Sequence, residues 1–159
     1  MRQERLNKIL DDHKLYVESK GKKGEPAILE GFNLEGLDLE GAYLKEISMY
    51  NVILKDANLT DANLQYADLS SADLRGANLE GAKLQYANLQ YTNLSGANLK
   101  GAVLSGTDME DANLIGAKFT IEIREATILQ YCEITKDQLP WLALHPDFSE
   151  FYPTLKVSE

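Results

Sequence analysis

From Ala27 to Ile121 the chain repeats one five-residue phrase without insertion, nineteen times over. A period of five belongs to neither a helix nor a flat strand. Residues 57–79, ANLTDANLQYADLSSADLRGANL, show the phrase: Ala, then Asn or Asp, then Leu, then two freer residues. The central position is Leu in 16 units, Met at Met49 and Met109, and Phe at Phe119. Two residues earlier stands Ala in 13 units, with Phe32, Leu37, Ile47 and Val52 among the early ones; the residue between is Asn or Asp in 12.

In an extended segment, residues two apart point to the same side and the one between points away. Ala and Leu of each unit therefore face inward and Asn or Asp outward. Because five is odd, a straight strand would turn the next Leu outward. All the leucines share one interior only if the chain bends after every unit, and Asn, Asp and Gly tolerate the backbone angles such corners need. Bends of about a right angle close the path after four units, so the pattern predicts an all-β solenoid: a quadrilateral β-helix of about five coils, each of about twenty residues, stacked ~4.8 Å apart.

A stack of coils exposes a backbone edge and an apolar interior at each end, so caps are expected. Residues 3–19 fit an amphipathic helix with Leu6, Ile9, Leu10, His13 and Val17 on one face, stopped at Lys20 and Gly21. We read residues 1–26 as an N-terminal α-helical cap and linker, and 27–134 as the β-helix, regular to 121 and degenerate after. Arg124 occupies a central position there, while Leu129 and Ile134 restore the frame. Residues 135–159 form a C-terminal cap and tail, opened by Thr135-Lys136-Asp137-Gln138, a capping-box pattern for a short helix. Trp141, Leu142, Leu144, Phe148, Phe151 and Tyr152 are expected to close that end, with a homodimer contact through it as the alternative.

Strings such as ADLSSADLRGANLEGAKL resemble the pentapeptide-repeat family, whose pattern is A-(D/N)-L-x-x. The resemblance spans 27–121, and His13 to Leu34 is similar to the helical lead-in of bacterial members. It implies a right-handed quadrilateral β-helix and says little about activity, since the family shares no catalytic residues. Some members imitate B-DNA and bind DNA gyrase as dimers joined at their C-terminal ends.

The charge balance, 25 acidic against 16 basic residues, argues against direct nucleic-acid binding and against an anionic membrane, both of which favour a basic face. No apolar run approaches the ~20 residues needed to span a bilayer. The start of the chain has no apolar signal region, and a cytoplasmic protein is expected. No cofactor is implied. A single cysteine, Cys132, excludes a disulfide framework and falls at an inward position, so it reads as core. His13 reads as a buried, hydrogen-bonded histidine, and the other histidine, His145, gives it no catalytic company. No catalytic set and no metal site emerges, and the outward carboxylates do not pair for acid–base work.

One outward feature stands apart. Gln-Tyr occurs at 65–66, 85–86, 90–91 and 130–131. Folded in steps of twenty, Gln65 stacks on Gln85 and Tyr66 on Tyr86, with Tyr91 one face round. These five residues are the candidate protein-contact surface; the alternative is that the tyrosines only stack for local stability. The expectation is a non-enzymatic scaffold or protein–protein interaction module whose protein partner the sequence does not name. The alternative, from the resemblance alone, is a DNA-mimicking modulator of DNA gyrase.

Overall fold

Backbone bridges pair residues twenty apart and always in parallel: Ile28 with Ser48, Ser48 with Asp68, Asp68 with Asn88, and so on to Asn113 with Glu133. A computed structural model describes residues 1–119, 131–138 and 154–158. Between coils, each central residue from Leu29 to Leu94 donates its N–H to the carbonyl of the residue preceding the centre one coil on, as Leu69 does to Asn88 at 2.8 Å. That next residue's own N–H returns to the coil below, as Asp68 does to Ile47 at 3.0 Å.

The bend comes from a turn after every centre. The central carbonyl accepts from the N–H three residues on, as Leu54 does from Ala57 at 3.0 Å. The second residue after the centre has φ between 55° and 71° at all eighteen corners from Gly31 to Gly116, the arrangement of a type II turn. Nine of those corners are glycine; the others include Asn51, Asp56 and Asp61, but also Tyr66, Tyr86 and Tyr91. The motif's own Asn or Asp sits elsewhere. It lies just before the centre, and at all twelve such positions its Oδ1 accepts the N–H of the residue just after the centre, as Asn93 does from Ser95 at 3.1 Å. It braces the approach to the corner.

The units stack into four walls. The first carries the units centred on Leu29, Met49, Leu69, Leu89 and Met109; the second follows with Leu34 to Leu114, the third with Leu39 to Phe119, the fourth with Leu44 to Leu104. Inside, the leucines are buried, with Leu34, Leu54, Leu64, Leu69, Leu74 and Leu79 at 0 % exposure, and alanine fills the narrower space beside them. Phe32 departs from the expected inward setting and is 42 % exposed. It lies in the terminal coil, with a neighbour on one side only, and its ring is larger than the Val52, Ala72 and Thr92 that follow it in the column. Two strands of the ladder are long enough to name, β1 (Asn98–Leu99) and β2 (Lys118–Phe119), parallel to one another.

Helix α1 (Gln3–Glu18) buries Leu6, Leu10 and His13. It ends in a Schellman arrangement: Lys20 is left-handed at φ 56° and the Gly21 N–H reaches back to the Tyr16 carbonyl at 2.8 Å. Its polar groups stand in for the coil that is missing beneath the first one. The Gln3 carboxamide donates to the Asp38 carbonyl at 2.7 Å and accepts the Asp38 N–H at 3.1 Å. His13 Nε2 donates to the Lys45 carbonyl at 2.8 Å, while Nδ1 accepts the Ala27 N–H at 3.2 Å. That pairing requires the neutral imidazole with its proton on Nε2.

Beyond the residues outside the description, the frame resumes. Cys132 and Ile134 are both buried in the core, and β3 (Glu133–Thr135) continues the wall above Asn113. The capping-box segment forms a single 3-10 turn, Lys136–Gln138, in which the Thr135 N–H donates to Gln138 Oε1 at 2.7 Å. Gln138 Nε2 donates to the carbonyls of Leu114 and Ala117. The tail was not expected to rejoin the ladder, yet β4 (Lys156–Ser158) pairs in parallel with β3 and covers its exposed edge. The expected closing residues, from Trp141 to Tyr152, and Leu129 lie outside the described residues, as does the last part of the expected five coils.

Burial pushes the Cys132 thiol up to about 12, from an ordinary value of 9.0. The folded chain thus holds a proton that the unfolded chain releases. This residue's contribution to stability falls as the pH rises from about 9 through about 12. Iodoacetamide is expected to leave Cys132 unmodified in the native protein near pH 8 and to label it once urea unfolds the chain; native-state labelling at the rate of a free thiol would place it at the surface.

Candidate functional site

The corner between the fourth and first walls carries Glu46, Tyr66, Tyr86 and Gly106 in a column. The rings of Tyr66 and Tyr86 stack with centroids 5.1 Å apart and planes 12° from parallel. The side chains lean toward the following coil: Tyr86 lies over Gly106, where a Cβ would come within 2.6 Å of two ring atoms. A side chain at Gly106 would therefore have to push the Tyr86 ring aside as well as adopt a φ of 71°. At the other end of the column Lys45 holds its ammonium 5.8 Å from the Tyr66 ring centre and 3.3 Å from a Glu46 carboxylate oxygen.

Tyr91 stands at the next corner, between the first and second walls, in a column with Asn51, Ser71 and Asp111. The structure thus brings Tyr66 and Tyr86 together and sets Tyr91 across the first wall from them. All three are more than half exposed, at 53 %, 59 % and 61 %. Gln65 and Gln85 lie half-buried beside the stacked rings. Oε1 of Gln85 is shielded from solvent and accepts no hydrogen bond.

Each tyrosine occupies a left-handed backbone position, which costs a non-glycine residue ~1–2 kcal/mol. Counting tyrosines along the chain does not reveal this; the period does, once the corner is known to be the second residue after the centre. The same period sorts the charges. Lys45, Lys55, Arg75, Lys83, Lys100 and Lys118, which along the sequence interrupt the acidic surface, all fall on the second, third and fourth walls. On the second wall they are paired: Lys55 with Glu35 at 3.1 Å, and Arg75 with Asp73 at 2.6 Å, an arrangement that holds the Asp73 carboxyl below its usual range. Among the described residues the first wall's units carry Glu30, Asp68, Asp108, Glu110 and, at the corner, Asp111, and no base of their own; Lys156 from the tail pairs with Asp111 at 3.0 Å. There Gln90 Nε2 bridges Asp108 and Glu110 at 2.9 and 3.2 Å.

Among the described residues, no three His, Cys, Asp or Glu side chains come together as a metal site, and no helix is long and apolar enough to cross a membrane. His13 has both ring nitrogens engaged by backbone and is structural.

Square coils of twenty residues with a turn after every fifth define a β-helical repeat solenoid. The chain belongs to the pentapeptide-repeat family, and its β-helix is right-handed. The family model for pentapeptide repeats matches residues 53–85 and 82–120 with 8 copies. Rfr23, a pentapeptide repeat protein from the cyanobacterium Cyanothece 51142, is similar at 37 % identity over 68 % of this chain and 67 % of its own, with a TM-score of 0.56. The pentapeptide repeat protein alr5209 from Nostoc Pcc 7120 is 22 % identical over 93 % of each chain, TM-score 0.54, a likeness of fold alone. QnrB1, a plasmid-mediated fluoroquinolone resistance protein, reaches 20 % identity over 73 % of this chain and 61 % of its own with a TM-score of 0.33, which carries no argument. No curated protein matches.

Proposed function

We propose that this repeat scaffold is a non-enzymatic interaction module of the cytoplasm that presents the corner tyrosines Tyr66, Tyr86 and Tyr91, with Gln65 and Gln85 beside them, to a partner protein. The observation that carries the reading is the backbone position of the tyrosines. The same corners hold glycine nine times elsewhere in the chain without strain, so a large exposed ring there works against the fold locally. The shielded, unpaired Gln85 oxygen adds a second local cost of ~1–3 kcal/mol beside the same stack. Stacking returns ~0.5–1.5 kcal/mol for the Tyr66–Tyr86 pair. No described ring stacks on Tyr91. Aromatic groups on a rigid, flat wall suit protein recognition, where Tyr is enriched among the residues that dominate binding.

Imitation of duplex DNA is the weaker reading for this chain. A duplex is anionic all round, whereas three of the four walls here carry lysine or arginine. The test is a Tyr66→Ser, Tyr86→Ser double variant used as bait beside the wild type. A protein retained by the wild type is expected to be lost by the variant while the thermal midpoint stays within a few degrees. Equal retention by both would remove the tyrosines from the contact.

A further inference from the structure

The first wall is bounded by exposed rings on both corners, Tyr66 and Tyr86 on one and Tyr91 on the other, and among the described residues it alone of the four walls has no base in its own units, Lys156 of the tail reaching only Asp111 at its edge. Resting on the contact reading above, we propose that its partner is an arginine-bearing extended segment of another protein. Guanidinium groups would lie against the exposed parts of the corner rings and pair with the carboxylates between them.

Three observations converge on that chemistry. The corner column already seats one cation: the Lys45 ammonium lies between the Tyr66 ring and the Glu46 carboxylate. The place Lys45 takes beside Tyr66 is taken beside Tyr86 by Gln65, with the Tyr66 ring on the corresponding face, so among the described residues no cation lies on the second ring. On the second wall the carboxylates of Glu35 and Asp73 are answered by Lys55 and Arg75, and at the Tyr91 corner Asp111 is paired with Lys156 at 3.0 Å, while on the face of the first wall Asp68, Asp108 and Glu110 meet only hydroxyl, amide and backbone donors among the described residues. A carboxylate row edged by aromatic faces favours a planar cation that stacks and forms forked hydrogen bonds, which selects arginine over lysine.

The repeat supplies a closely matched control. Four units carry Asp rather than Asn before the centre: Asp68 and Asp108 on the first wall, Asp38 on the third and Asp73 on the second. Asn fills the same slot in eight other units, so Asp→Asn is a change the coil already accommodates. Binding of a fluorescent arginine nonapeptide, with a lysine nonapeptide for comparison, is measured by anisotropy against the full chain. The arginine peptide is expected to bind more tightly than the lysine one. Tyr66→Ser with Tyr86→Ser, and separately Asp68→Asn with Asp108→Asn, should each weaken it by about tenfold. Asp38→Asn with Asp73→Asn removes the same charge and should change it less than about twofold. Equal loss in both aspartate pairs would reduce the effect to net charge and overturn the proposal. Loss in the first-wall aspartates with none in the tyrosine variant would overturn it together with the tyrosine contact. No binding of the arginine peptide to the wild type would overturn the basic partner alone, leaving the tyrosine contact to its own test.

Discussion

Replacing Leu69 by Ala is expected to destabilise the protein by about 2–5 kcal/mol, and Leu69→Asp to prevent folding. Leu69 is fully buried and occupies the middle of a column running from Met49 through Leu89 to Met109. Its N–H is bonded to the Asn88 carbonyl of the next coil and that of Asp68 beside it to the Ile47 carbonyl of the coil before, so the coil cannot collapse into the space an alanine would leave. Each coil touches only its neighbours, which makes a defect in the middle break the stack into two shorter pieces. Urea unfolding of the Ala variant measures the loss, and Asp68→Asn, one residue away and facing outward, is the control expected to stay within about 0.5 kcal/mol. A loss under about 1 kcal/mol for Leu69→Ala would mean the interior is loosely packed.

His13→Phe is expected to cost about 2–5 kcal/mol although it keeps the ring volume and adds apolar area. The Ala27 N–H and the Lys45 carbonyl lose the ring nitrogens that pair them and stay covered by α1, and each such group costs ~1–3 kcal/mol. The effect should be local first. Amide exchange is expected to accelerate throughout α1 and at the coil edge it covers, before the coils around Leu74 respond. Uniform acceleration across the chain, or a stability within about 0.5 kcal/mol of wild type, would show that the helix is not held through His13.

How much of this was readable beforehand differs from element to element. The interior was legible because Leu at every fifth position has one physical solution, a bend after each unit. The place of the strain was not, because Asn and Asp are the residues expected at left-handed corners. Here the motif's own Asn or Asp accepts an N–H beside the corner, while tyrosine takes the corner itself at three described Gln-Tyr pairs before the frame resumes at Tyr131. Helix α1 was legible from its apolar stripe, but not the substitution of Gln3 and His13 for a missing coil, which depends on where the helix lies across the edge. Pairing of β4 with β3 was hidden because Lys156-Val157-Ser158 carries no repeat signature. That the described units of the first wall hold no base of their own was present in the numbering all along and appears only when charges are counted by column.

The central claim is that the corner tyrosines serve contact and not cohesion, and equilibrium urea unfolding of a Tyr66→Gly, Tyr86→Gly, Tyr91→Gly triple variant tests it without knowledge of the partner. Relief of three left-handed positions, at ~1–2 kcal/mol each, offsets the lost ring stack and the greater freedom of glycine in the unfolded chain. The account predicts a stability within about 1 kcal/mol of wild type. A loss above about 3 kcal/mol would contradict it and make the tyrosine column part of what holds the coils together.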